Sequence, residues 1–259
     1  MELFRLGYSE YQEARLFYKR TSSIGFPIIQ GVLANLQCGE VFANGGRDFF
    51  FAVHKFGFCQ MFCSTQDEDR LREFCDWIVK PNFFQGRKLR WYNPSPGCLG
   101  YFANCGRETA QLSERTQMRL EEAKPVELSG SSVAIKPLTP EGIDKIVFDI
   151  GLGNRFWDSV EDFIACGVGV GAFDGDDCIG VCYSASLADG VAEVDIFVDE
   201  RYRNGGIGKR LVQAFIGQCR LRNVTPNWDC YTNNIPSLSL ADATGFSSRY
   251  IYPFLTIYK

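Results

Sequence analysis

The chain has 259 residues and an ordinary apolar share, with 27 Lys and Arg against 31 Asp and Glu, a formal net charge of −4. That is length enough for one large domain or two small ones with a real core, and the acidic balance argues against a broad nucleic-acid footprint. No run approaches the ~18 apolar residues that cross a bilayer, and the first residues, MELFRLGYSEYQEARL, lack the regions of a signal peptide. A cytoplasmic protein with no membrane and no nucleic-acid partner is expected.

Eleven cysteines are scattered without the close CxxC pairs and histidine partners of a zinc site, and there is a single histidine, His54. Buried reduced thiols are therefore expected, with no metal site, since a zinc centre gathers Cys and His at short spacing. His54 lies in an apolar run and reads as structural.

In chain order, strands are expected over GEVFAN (39–44), within FFFAVHKFGFCQMF (49–62) and over KLRWY (88–92). Between them DEDRLREFCDWIV (67–79) predicts a helix, with Leu71, Phe74, Cys75 and Ile78 at helical spacing, acidic residues in the first turn and Pro81 beyond the end. RETAQLSERTQMRLEEA (107–123) predicts a second, largely polar helix. At EEAKPVELSGSS (121–132) charge, proline, glycine and serine replace apolar periodicity, which divides the chain into an N-terminal α/β domain of 1–125 and a second domain of 132–259.

The second domain alternates more legibly. VAIKPL (133–138) predicts a strand; Thr139 and Pro140 then cap a helix carrying Ile143, Ile146, Val147 and Ile150 and ending at Gly151. FWDSVEDFIACG (156–167) adds a short helix, and VGVGAF, CIGVCYSASL and VAEVDIFV follow as strands joined by the turns DGDD and ADG. After a glycine loop, Ile207, Leu211, Val212, Phe215, Ile216 and Cys219 line a helix face, followed by the strand NWDC, the helix IPSLSLADAT and a closing strand SSRYIYPFLTIYK.

The loop DERYRNGGIGKRL (199–211) decides the function. A P-loop fails because Arg203 stands where its first glycine belongs and Arg210 where its hydroxyl belongs; a dinucleotide fingerprint fails because Leu211 replaces its last glycine. What remains is a pyrophosphate cradle at a helix N-terminus, where free N–H groups and the positive end of the helix dipole meet an anion that glycines let approach. Arg203, Gly206 and Gly208 satisfy [RQ]-x-x-G-x-[GA] between a strand and a helix.

By this motif, and by the β-α-α-β-β-β-α-β-α-β order of 132–259, the chain resembles the Gcn5-related N-acetyltransferase (GNAT) family. A second motif agrees: Gly245-Phe246 closes a helix and sets Asn234, Ser237 and Ala241 in the register of the family's asparagine, small residue and tyrosine. The preceding α/β half is similar to the arrangement in a bacterial branch that includes zwittermicin-resistance-like acetyltransferases. One reading of that half is a decayed copy of the same fold.

The resemblance implies a mixed, mostly antiparallel sheet flanked by helices and an acetyl-coenzyme A-dependent N-acetyltransferase acting on a small-molecule amine. The alternative is an acyl-coenzyme A-binding or regulatory module without catalysis. It implies coenzyme contacts from Ile196, Phe197, Val198, Arg203, Asn204, Gly205, Gly206, Ile207, Gly208, Lys209, Asn234 and Ser237. An ammonium must lose a proton before it attacks, and alternation puts Glu193 and Asp195 on one strand face as candidate bases or cation clamps. Alanine at 241 removes the hydroxyl that many relatives use to protonate the departing thiolate, leaving Ser237, Tyr231, Tyr250 or Tyr252 as substitutes. The acceptor's identity and the oligomeric state are not written in these residues.

Overall fold

The computed structural model describes residues 1–64, 67–80, 86–104, 109–124, 132–146 and 156–258. They divide into two compact units, one of Met1–Arg115 with Tyr252–Lys259 and one of Thr116–Ile251. Compared with the expected division at 121–132, the second unit starts earlier, and the last eight residues lie in the first. Both boundaries fall inside strands.

In the first unit the elements are β1 (Phe4–Arg5), α1 (Tyr11–Thr21), α2 (Pro27–Leu33), β2 (Gly39–Ala43), β3 (Phe49–His54), β4 (Phe58–Cys63), α3 (Glu68–Val79), β5 (Leu89–Tyr92), α4 (Pro96–Ala103) and the start of β6 (Ala110–Leu120). β2, β3 and β4 form an antiparallel meander, and β4 pairs with β5 in parallel. The run FFFAVHKFGFCQMF becomes two strands because Lys55–Gly57 turns it, Gly57 N–H bonding the His54 carbonyl at 2.7 Å with φ at 85°. A Cβ at Gly57 would come within 2.1 Å of the Lys88 carbonyl oxygen, so the turn accepts only glycine.

The second unit contains β7 (Ala134–Pro137), α5 (Pro140–Asp144), α6 (Val160–Cys166), β8 (Gly169–Asp174), β9 (Asp177–Ala188), β10 (Val191–Val198), α7 (Ile207–Leu221), β11 (Thr225–Tyr231), α8 (Ile235–Thr244) and the start of β12 (Phe246–Ile257). Its strands lie in the order β6, β11, β10, β9, β8, β7. Only the β10–β11 pair among the registers of β7 to β11 is parallel. α7 covers one face: its Leu211, Val212, Phe215, Ile216 and Cys219 pack into a core with Val170, Ile179, Cys182, Ala192, Val194 and Trp228. Thr139 caps α5 as expected, its hydroxyl accepting the Gly142 N–H at 3.2 Å. Val147, Ile150 and Gly151 lie outside the described residues.

Among the described residues both units run in the same element order, β-α-α-β-β-β-α-β-α-β, and in both a parallel pair flanks the helix after the fourth strand. The final strand of each run crosses the boundary: β6 ends in the second unit, and the second half of β12 pairs with β5 in the first.

The predicted polar helix over 107–123 is instead β6. Its residues are good helix formers, but Met118 and Leu120 enter the core at a spacing of two, and pairing between strands overrides a weak local propensity.

Candidate active site

The site grows from the end of β10. Asp199 follows the strand and caps a short 3-10 turn, its carboxylate accepting the Arg201 N–H at 3.0 Å. Hydrogen bonds from the Arg201 side chain hold that carboxyl down to about 2. Arg203 folds back on the strand: its Nε donates to the Val198 carbonyl at 3.0 Å, Nη1 meets Glu200 at 3.3 Å, and the guanidinium lies over the Phe197 ring at 5.6 Å. Its visible work is to brace the loop.

Asn204 and Gly206 take left-handed conformations, φ 65° and 77°, and Gly206 is the N-cap of α7. The first helical bond runs from the Arg210 N–H to the Gly206 carbonyl at 3.2 Å, so the N–H groups of Ile207, Gly208 and Lys209 precede the helical ladder. No side chain caps this end and no acidic residue stands in its first turn.

Gly208 has no left-handed φ, and an added Cβ would stand 3.5 Å from Leu240, an ordinary contact; above Gly206 nothing lies within 4 Å. The fold itself therefore does not require glycine at 208. A bare, unblocked helix start fits a pyrophosphate held by backbone N–H groups. Ile207 is buried while Lys209 is exposed beside the opening. Arg210 turns away and donates to the Val133 carbonyl at 2.7 Å.

Beside this loop, Asn234 caps α8, its Oδ1 accepting the Ser237 N–H at 3.3 Å. Ser237 Oγ in turn accepts the Trp228 indole N–H at 3.1 Å. Ala241 is fully buried in the core with Trp228 and Phe246. Gly245 ends α8 with φ 105°, where a Cβ would lie 1.8 Å from the Glu122 carbonyl oxygen. Of the tyrosines considered as substitutes at Ala241, Tyr252 is buried against Phe26 in the first unit, at 5.1 Å between rings. Tyr231 and Tyr250 are exposed.

The parallel register joins Val191 to Thr225, Ala192 to Pro226 and Glu193 to Asn227, and stops there although both strands continue. On the other edge the β9–β10 register shifts between Glu193 and Val194, which pair with Ser186 and Ser184, so Ala185 is the extra residue of a bulge on β9 opposite the point of parting. Ile196 and Val198 pack toward the core while Phe197 is exposed.

Ala192 and Val194 face the α7 core, so Glu193, Asp195 and Phe197 face the opposite way, as alternation predicts. Glu193 is 8 % exposed. Asp195 is fixed by the Tyr183 hydroxyl at 2.8 Å and by its neighbour Ile196 N–H at 3.0 Å. Tyr183, Ser186 and Asn227 were not picked out from the sequence. They join this face only through the pairing of Asp195 with Tyr183 and of Glu193 with Ser186 and Asn227.

The thiols here are poor nucleophiles. Burial pushes Cys182 well above its usual range and Cys219 up to about 12. Among the described residues no cluster of three or more His, Cys, Asp and Glu stands together as a metal site. His54 is buried in the first unit, its Nδ1 accepting the Phe56 N–H at 3.2 Å. No described helix is long and apolar enough to cross a membrane.

The chain belongs to the GNAT acetyltransferase family, whose model matches residues 111–255, more than half of its length. It is 32% identical over 101 residues to the uncharacterized N-acetyltransferase YdfB of Bacillus subtilis (strain 168), a match spanning 39% of each chain.

Whole-chain likeness is structural. A GCN5-related N-acetyltransferase-like protein from Streptococcus suis 89/1591 superposes with a TM-score of 0.71 at 17% identity, over 98% of this chain and 100% of that one. A tandem GNAT protein from the clavulanic acid biosynthesis pathway gives 0.64 at 14% identity, over 99% of this chain and 98% of that one. At such identities the likeness speaks for the fold.

Proposed function

We propose that the chain transfers the acetyl group of acetyl-coenzyme A directly to the amine of a small molecule. The observation that carries this reading is the open start of α7, with open space above Gly206, no Cβ at Gly208 and N–H groups that no side chain caps. Its placement at the end of β10 leads from the loop to the parting of β10 and β11, beside which Glu193 stands.

In this reading Gly205, Gly206, Ile207, Gly208 and Lys209 hold the pyrophosphate, with Arg203 and Asn204 shaping the loop. The backbone of Ile196, Phe197 and Val198 lies along the pantetheine arm, and Asn234 and Ser237 meet it from α8. The amine nitrogen bonds to the thioester carbonyl carbon as the carbon–sulfur bond breaks. The amine's proton passes to Glu193 or to a water it orders, with Asp195 adding negative charge beside the ammonium.

Coenzyme A leaves as a thiolate, which a thiol pKa near ~8.5 makes tolerable at neutral pH without a tyrosine at 241. Ser237, whose oxygen is occupied by Trp228, keeps its own hydrogen for that sulfur. The raised Cys182 and Cys219 thiols disfavour an acyl-enzyme, so no covalent intermediate is expected.

The test is coenzyme A thiol release across a panel of amines. Release with one or more amines supports transfer. Tight acetyl-coenzyme A binding without release would assign the chain to binding or regulation, and an acetylated cysteine on the pathway would replace direct transfer by a two-step route.

A further inference from the structure

The face of the second unit opposite α7 carries a polar row that the transfer reading does not use in full. On β9, β10 and β11, Ser186, Glu193 and Asn227 are register partners, and all three are buried. Trp228 and Cys230 face the α7 core, so Asn227 and Asp229 share the other face with Glu193 and Asp195.

Asn227 is 6 % exposed, and its Nδ2 is enclosed with no hydrogen-bond acceptor among the described residues. An enclosed donor without a partner destabilises the empty protein, and a ligand oxygen that supplies the acceptor recovers that loss. The donor sits at the last paired position before β10 and β11 part, beside the candidate base.

We propose that Asn227 sets acceptor specificity, its amide N–H donating to an oxygen that the acceptor carries next to its reacting amine. The inference rests on the transfer reading and names its substrate class: amines with a vicinal neutral oxygen, such as 2-amino alcohols and α-amino amides. Glu193 and Asn227 leave neighbouring positions on strands ~4.8 Å apart, a span that an N–C–C–O unit bridges between a carboxylate and an amide N–H. A neutral oxygen is required because Glu193, Asp195 and Asp229 on this face repel an acceptor's carboxylate. Asp195 adds charge but little bonding capacity, since Tyr183 and the Ile196 N–H already occupy it.

The full-length protein is assayed for thiol release with ethanolamine and ethylamine as a matched pair, and with glycinamide as the amide. The wild-type ratio of kcat/KM for ethanolamine over ethylamine is expected to be at least roughly tenfold, because a site built around a hydrogen bond rejects the analogue lacking it. Asn227→Leu brings the ratio close to one, chiefly through the KM of ethanolamine, and Asn227→Ser restores part of it. Acetyl-coenzyme A titration of each variant reports whether the coenzyme loop remains formed.

A wild-type ratio near one, or an unchanged ratio in a folded Asn227→Leu protein, overturns the assignment. Absence of thiol release with every amine overturns catalysis instead. The same matched pair is then titrated calorimetrically into the coenzyme A complex, where equal or absent binding overturns the role of Asn227 and an Asn227-dependent preference for ethanolamine upholds it.

Discussion

The starts of α3 and α7 occupy the same place in two runs of identical element order, yet they treat an anion in opposite ways. At α3 the Asp67 carboxylate accepts the N–H groups of Asp69 and Arg70 at 3.0 and 3.3 Å, and Glu68 and Asp69 add negative charge to the first turn. At α7 a left-handed glycine stands in the cap position and leaves those donors free of any side chain. One helix start is capped by its own chain; the other carries no side-chain cap.

The sheet faces differ in chemistry. In the first unit the face opposite α3 is closed by aromatic rings: Phe26 stacks on Tyr92 at 4.5 Å, Phe58 stacks on Tyr92 at 5.6 Å, and Tyr18 bonds Gln60 at 2.8 Å. In the second unit the corresponding side carries Glu193, Asp195 and Asn227. The lesson is that element order alone does not make a coenzyme site. In the proposed reading the N-cap residue and the side chains beside the parallel pair make the difference.

The largest expected effect separates the units outright. Gly208→Ala should weaken calorimetric binding of acetyl-coenzyme A strongly while the thermal melt stays nearly unchanged, since a Cβ there meets Leu240 only at an ordinary 3.5 Å. In the wild type the same titration should saturate at one coenzyme per chain. Unchanged affinity in the variant, or a second equivalent bound by the first unit, breaks the comparison.

Next in size is Glu193→Gln, which should lower turnover mainly below the pH at which the acceptor loses its own proton, with the defect shrinking as pH rises. A loss equal at every pH would make Glu193 an orienting group.

Asp67→Ala should cost the first unit about 1 kcal/mol through its lost cap, read as a lower urea midpoint, and leave coenzyme affinity unaltered. A change in affinity would tie α3 to the coenzyme and blur the distinction. Arg203→Ala should weaken coenzyme binding only modestly, because that side chain braces the loop from Val198 and Glu200.

The smallest effect is a pH signature confined to the first unit. Hydrogen bonds from Arg70, then Asn44, hold the Asp48 carboxyl down at about 2. Its contribution is therefore full above the unfolded carboxylate pKa of ~3.9 and lost as pH falls toward about 2. Arg70→Leu should lower the urea midpoint at pH 5 slightly and converge with wild type near pH 2; an equal gap at both would assign the effect to packing.

Particular residues show why some of this was legible. The α7 stripe, the strands VGVGAF, CIGVCYSASL and VAEVDIFV, and the cap Thr139 follow from spacing and local chemistry, and they reappear in the structure, whereas the capping of α8 by Asn234 was not read from the sequence. β6 was not legible, since its helix-forming residues become a strand only between β12 and β11. α1, α2 and α4 lacked signals strong enough to be singled out among the aromatic runs. Asn227 stood in full view within NWDC, but nothing local distinguishes it from an exposed asparagine.

The sequence by itself determined the local elements and the glycine loop, because helix stripes, turn residues and a helix start bare of side-chain caps are encoded within a few neighbouring positions. Only the tertiary structure decided that β6 and β12 cross the unit boundary, that Arg203 and Arg210 bond to backbone carbonyls of Val198 and Val133, and that Glu193 has Asn227 and Ser186 at its sides. Those facts depend on strand register and on which distant residue fills a neighbouring position, and register is fixed by the burial of whole sheet faces, a property no short stretch of sequence possesses.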